Sequence, residues 1–356
     1  MRRGLIAWSK AELPESVFDA RLARLRAQMA TQNLDAILVY TNNNRTAGVS
    51  WLTAFVPYWA EGLLVVPRNG DPLLTMAFSN RIVGWGKEVS RVARFEGGAR
   101  PGQAAGKYLV EIKAKTVGVA DFDGLRQQVA ADMAEAAPNA TFVDATAEFR
   151  RARVQADPAE IALATKAGGI AHHALAQIPG RVATIGEALG LVESAARLAG
   201  AEEIYLAAAP DLAKSTAFAR VEGTASAGDA FAVRATLAYK GSWVRVTRTV
   251  DTAPDAQAMH DQAVEIFAAS VASLPRGDGF GRFDSWAVEG CRVAQPLEAL
   301  MGSRMTDPVA LAAGSLVTAQ GVIEIDGRRI ALAAPALIGA DGFPSGILVQ
   351  PDFGPR

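Results

Sequence analysis

Two arginines, Arg234 and Arg245, stand on a stretch that reads as a β-hairpin, FAVRATLAYKGSWVRVTRTV from Phe231 to Val250. A guanidinium is a planar, permanently protonated fork, and two of them on one surface can take a carboxylate or phosphate bidentately. With the turn centred on Lys240 and Gly241, Tyr239 faces Ser242, Arg234 faces Thr247 and Thr236 faces Arg245. Side chains two apart on a strand share a face, so Arg234, Thr236, Trp243, Arg245, Thr247 and Thr249 emerge together. The other face carries Phe231, Val233, Leu237, Val244, Val246 and Val250, with Arg248 as its one charged exception. The chemistry offered is recognition of a small anion. The competing reading pairs the two arginines with internal acids such as Glu324 or Glu289; in either case like charges buried together need something negative between them.

Other reactive side chains are sparse. Glu324 shares strand parity with Gln320 and is the best acid/base candidate, with a salt bridge to an arginine as the alternative. Cys291, the single cysteine, would need a neighbouring base to act as a nucleophile, and it excludes an intrachain disulfide. His172, His173 and His260 fall within helical stretches and read as structural or exposed rather than catalytic. The segment GDGFG, Gly277 to Gly281, lacks both the preceding strand and the following Lys-Ser/Thr of a phosphate loop, and reads as a loop between helices.

Composition narrows the class. Of 356 residues half are hydrophobic and 21% charged, the profile of a well-buried globular chain. Lys plus Arg number 36 against 37 Asp plus Glu, a net charge of −1, which points away from nucleic acid or an anionic membrane as a bulk partner. The start, MRRGLIAWSKAELPE, lacks the apolar stretch of a signal peptide, so a cytoplasmic protein is expected.

These residues need a scaffold. Phe18, Leu22, Leu25 and Met29 at helical spacing, then short strands at Asp35–Tyr40, Gly62–Pro67, Pro72–Ala77 and Thr116–Asp121 between helical stretches, predict an α/β domain over residues 1–150. Asp157-Pro158-Ala159-Glu160 has the form of a helix start, and Thr184 with Glu187 caps a second helix. Beyond them come strands, the hairpin, helices over Asp255–Leu274 and Phe283–Cys291, and strands again at Leu316–Ile325 and Arg328–Ala333. That order predicts an α+β domain over residues 151–356.

The segments RLARLRAQMATQNLDAILVY, WLTAF and ADPAEIALATKAGGIAHHAL, followed by Gly228-Asp229, Arg234, Gly241 and Thr247-Arg248-Thr249, occur in an order that resembles the creatinase, aminopeptidase P and prolidase superfamily. The resemblance covers nearly the whole chain. It implies a creatinase-like N-terminal domain, a pita-bread C-terminal domain and a homodimer. It also implies that loops of the N-terminal domain reach a partner's pocket, which makes Arg45, Tyr58 and Trp59 candidate lining residues beside the plainer reading of interdomain or dimer packing. In the metallopeptidases of the family the hairpin carries two aspartates where this chain has Arg234 and Arg245. The family's first histidine segment maps near Ala217 and Phe218. Its second maps within Glu289 to Leu300, around Cys291, Arg292, Gln295 and Glu298, and its late glutamates map to Gln320 and Ala331. Arginine has no acceptor lone pair to offer a metal. The expectation is therefore a protein without metal or other cofactor that binds a small anionic or amino-acid-like compound through Arg234, Arg245, Thr236, Thr247, Trp243 and Gln320. Hydrolysis of a C–N bond, a non-catalytic binding role and a divergent metallopeptidase remain alternatives.

Overall fold

The computed structural model describes residues 8–43, 45–57, 59–274, 278–290, 312–339 and 345–350. The chain divides into two compact units, one ending at Val154 and one beginning at Gln155. No helix among the described residues is long and apolar enough to cross a membrane.

The N-terminal unit runs α1 (Glu15–Thr31), β1 (Ala36–Thr41), α2 (Ala47–Thr53), β2 (Gly62–Pro67), β3 (Leu73–Met76), α3 (Val83–Glu88), β4 (Arg94–Gly97), α4 (Pro101–Glu111), β5 (Thr116–Ala120), α5 (Gln127–Ala136), β6 (Thr141–Asp144) and α6 (Thr146–Arg153). The strands form one sheet in the order β4-β3-β2-β1-β5-β6. Strands β1 and β2 are buried along their whole length, as continuous apolar runs such as AILVY and LLVV require when helices cover both faces. Leu25 and Met29 of α1 join Trp51, Phe55 and Phe149 on one side, while Tyr108, Leu109, Val129 and Met133 of α4 and α5 fill the other.

Helices α4 and α5 are tied by a forked ion pair. Arg100 donates from Nε and Nη2 to Asp132 at 3.1 and 2.6 Å, and Gln128 adds a bond of 2.7 Å. These bonds and the Arg100 charge hold the Asp132 carboxyl at about 2, below its ordinary 3.8. Because the folded state lowers this pKa, the stabilisation is present above the unfolded value and lost as pH falls through the folded one. Between about pH 4 and pH 2 the unfolding free energy of Asp132→Asn is expected to fall less steeply than that of the parent, as urea titrations at stepped pH would register. Parallel slopes would remove Asp132 as a source of acid sensitivity.

The C-terminal unit runs α7 (Pro158–Leu175), α8 (Ile185–Leu198), β7 (Glu203–Ala209), β8 (Ala230–Tyr239), β9 (Ser242–Asp251), α9 (Ala256–Ala272), β10 (Ser285–Gly290), β11 (Leu316–Ile325), β12 (Arg328–Leu337) and β13 (Gly346–Ile347). Its sheet has the order β10-β11-β12-β9-β8-β7, with β13 beside β12. Asp157 and Glu160 close a reciprocal capping box at the start of α7, with Pro158 in the first turn. One expectation is corrected here: Phe283–Cys291, read as a helix, contains β10, which pairs with β11 from Ser285↔Val322 to Gly290↔Val317. The GDGFG segment accordingly precedes a strand rather than a helix.

Helices α7 and α8 cover one face of β8 and β9, where Phe231, Val233, Leu237, Val244, Val246 and Val250 are buried against Ala167, Ala171, Leu175 and Val192. Arg248 shares that face. It donates from Nη1 to the carbonyls of Leu175 and Ile178, each at 2.8 Å, at the C-terminal end of α7. A cation at this end meets the carbonyls that the helix cannot bond itself, which accounts for a charge on an otherwise apolar face.

Candidate functional site

The β8–β9 register follows from its turn. Lys240 and Gly241 both adopt positive φ, 48° and 76°, the geometry of a tight two-residue hairpin whose twist matches the strands. The Glu202 carboxylate accepts the amides of Lys240 and Gly241 at 2.7 and 3.1 Å, fixing the turn. Arg234 then faces Thr247, and Thr236 faces Arg245. The pairing continues across the sheet, with Thr247 opposite Ala333, Ala333 opposite Gln320, and Gln320 opposite Ala287. Thr318, two residues before Gln320, faces Glu289 on β10. One face thus gathers Arg234, Thr236, Arg245, Thr247, Gln320 and Glu289 from four strands.

Within this group the two arginines have different surroundings. Arg245, 2% exposed, donates from Nη1 to Glu289 Oε2 at 2.6 Å and to Gln320 Oε1 at 3.0 Å, and from Nε to the Thr236 hydroxyl at 3.2 Å. Strand β12 lies between β9 and β11 in the sheet order and has Ala331, Ala333 and Pro335 at same-parity positions, small side chains that leave space for the long guanidinium. Glu289 is the acid that meets an arginine of the hairpin. Glu324, the other candidate, is exposed near the end of β11, with one oxygen 3.8 Å from Arg329. Burial raises the Glu289 pKa against the pull of Arg245 and Arg234.

Arg234 lines a cleft of about 230 Å³ together with Thr216, Phe218, Thr247, Trp286 and Gln320. Its guanidinium carbon sits 4.8 Å from the centre of the Phe218 ring, a cation–π contact. Burial, and then the like charge of Arg245, push its pKa down to about 10, while Glu289 pulls it up. Arg234 remains a cation at neutral pH, in a position where an anion would relieve both effects.

The other expected site residues are distributed more widely. Trp243 stacks on Tyr205 at 5.6 Å and 24°. Arg45 and Trp59 belong to the N-terminal unit. The amide of Arg45 is bonded to Asn42 Oδ1 at 2.8 Å, and Trp59, 56% exposed, stacks on Trp85 at 6.0 Å. Cys291 and Tyr58 lie outside the described residues, as do Arg292, Gln295 and Glu298. Thr216, Phe218, Ser285 and Trp286 line the cleft without having been singled out as ligand-binding residues. For Trp286 the usable signal was the short apolar run around Val288, which suits a strand as well as a helix.

The metal pair implied by the resemblance does not fit the residues present. A divalent ion needs carboxylate or neutral imidazole donors, and the two hairpin positions offer guanidinium groups instead. Glu289 Oε2 and Gln320 Oε1 already accept from Arg245. Among the described residues no cluster of three or more His, Cys, Asp or Glu side chains could hold a metal.

Comparison with known proteins bears on the fold. Residues 21–155 match the Creatinase/Prolidase N-terminal domain family. No curated protein matches the chain by sequence. Among solved structures, an Xaa-Pro dipeptidase from Bacillus anthracis superposes with TM-score 0.70 at 16% identity, covering 95% of this chain and 99% of that one. An X-Pro aminopeptidase from Thermotoga maritima gives 0.69 at 16% identity, over 94% and 98%. A prolidase from Pyrococcus horikoshii gives 0.63 at 18% identity, over 94% and 99%. At such identities the likeness speaks for architecture, and the chemistry must be read from this chain's own side chains.

Proposed function

We propose that this chain, whose residues 21–155 match the Creatinase/Prolidase N-terminal domain family and whose fold is that of prolidases and Xaa-Pro peptidases, binds a small carboxylate-bearing compound without a metal ion. The observation that carries the proposal is the division of labour on one sheet face: Arg245 is bonded to Glu289 and Gln320, while Arg234 lines the cleft beside them. An arginine fork can hold a carboxylate by two parallel hydrogen bonds, and the Thr247 hydroxyl and Gln320 amide stand in the same cleft wall to fix its orientation.

Hydrolysis of a C–N bond in the bound compound is the second reading. It is favoured by Glu289 Oε1, a buried carboxylate oxygen without a hydrogen-bond partner among the described residues. Burial raises this group's pKa against the pull of Arg245 and Arg234, the direction that suits a carboxyl group to general acid/base work.

A thermal-shift screen of small carboxylates and N-substituted amino acids, with metal analysis of the same purified protein, tests both parts. Stabilisation that disappears in Arg234→Ala, together with manganese, zinc and cobalt far below one equivalent, is the expected result. A stoichiometric metal would restore the metallopeptidase reading, and the absence of any Arg234-dependent ligand would remove the anion site. Release of an amine from a screened ligand, lost in Glu289→Gln, would decide for hydrolysis; its absence for every bound ligand would leave a binding protein.

A further inference from the structure

The charges around the cleft say more about its occupant than that it is an anion. Arg234 is 7% exposed and lines the cleft, and Arg245 acts on it as a like charge from the same sheet face. The acid of that face, Glu289, is engaged through Oε2 by Arg245 at 2.6 Å and is not among the residues that line the cleft. The other polar groups of the described wall, Thr216, Thr247, Ser285 and Gln320, are neutral. An ammonium group entering here would face guanidinium charge and hydroxyl dipoles, with no carboxylate in the described lining to receive it. An amide, by contrast, finds donors and acceptors in the hydroxyls and in Gln320.

The remaining wall is apolar and partly aromatic. Val322 and Ala331 share the sheet face of Gln320 and pack with Phe218 in one apolar cluster. Phe218 is fixed against the Arg234 guanidinium. A ligand that reached Arg234 with its carboxylate would place its body along these side chains and bury apolar area there.

We infer that the cleft selects a monoanion with an apolar body and no ammonium group, an N-acylated or deaminated carboxylate in preference to a zwitterionic amino acid or a peptide with a free amino terminus. The inference rests on the carboxylate-site reading above and narrows it to one ligand class.

Calorimetric titration of the full chain with N-acetylphenylalanine, phenylalanine, N-acetylglycine and N-acetylphenylalanine amide separates the elements of the claim. N-acetylphenylalanine is expected to bind about tenfold or more tighter than phenylalanine, because juxtaposed like charges oppose the ammonium. It should also exceed N-acetylglycine about tenfold, through the apolar wall, and exceed the neutral amide by at least as much. Phenylalanine binding as tightly as its acetylated form overturns the exclusion of the ammonium while leaving the anion site in place. N-acetylglycine equal to N-acetylphenylalanine overturns the apolar body. The neutral amide binding as well as the acid overturns the carboxylate site itself, and with it the proposed function. Failure of all four to bind overturns the ligand class, while the broader carboxylate screen still judges the site.

Discussion

Glu289→Leu is expected to lower the unfolding free energy by about 3–5 kcal/mol, because it strips the carboxylate from a buried guanidinium. The ion pair it removes is short, 2.6 Å, and both side chains are almost fully enclosed, at 2% and 9% exposure. An exposed pair of the same geometry would contribute no more than about 1 kcal/mol. Burial reverses that ranking, since the orphaned charge cannot turn to water. Gln320 Oε1 and the Thr236 hydroxyl would still accept from Arg245, but neither carries a charge. The double variant Arg245→Leu, Glu289→Leu removes both ions together and is expected to be more stable than Glu289→Leu alone. Urea denaturation of the three variants and the parent completes a double-mutant cycle. A double variant as unstable as the sum of the two single losses would mean that the pair is not a coupled unit.

Arg248→Leu should cost about 3 kcal/mol, again through a buried arginine but by another route. This side chain holds carbonyl oxygens of the chain, two of them at 2.8 Å where α7 ends. Leu175 O also accepts from the Ile178 amide at 3.2 Å, so the greater loss falls on the Ile178 carbonyl. A leucine would suit the surrounding apolar face of Val246 and Val250 yet satisfy neither oxygen. Arg248→Lys retains a cation near the helix end and should recover part of the loss. If Arg248→Leu unfolds within about 1 kcal/mol of the parent, the arginine is not needed to finish the helix.

The hairpin was the most legible part of the fold in the sequence, for a local reason. A strand period of two and one turn set every cross-strand pair, and the structure has the pairs Arg234↔Thr247 and Thr236↔Arg245 that this arithmetic requires. Caps were legible on the same grounds, since Asp157, Pro158 and Glu160 act within one helical turn. The partner of Arg245 was not. Glu289 and Glu324 were both possible because contact between residues so distant along the chain depends on how strands are ordered, which no local pattern specifies. Parity placed Glu324 on the same strand face as Gln320 but said nothing of how far along the strand the arginine reaches. Strand β10 was misread for a related reason. SWAVEG is short and mixed, and only its ladder with β11 makes it extended. Because Ser285, Trp286 and Ala287 belong to that strand, the error hid one wall of the cleft.

The contact between Arg245 and Glu289 also has a mechanical meaning. Backbone hydrogen bonds tie each strand only to its immediate neighbours, whereas β9 and β10 stand three strand spacings apart, about 14 Å along a flat sheet. The ion pair is a chord drawn across that span. Strand β10 ends the sheet order and is laddered to β11 alone among the described strands, so fraying of its Glu289 end must also break the chord. The same strut that neutralises a buried charge therefore clamps the border of the cleft, and loosening either end would be felt at the other.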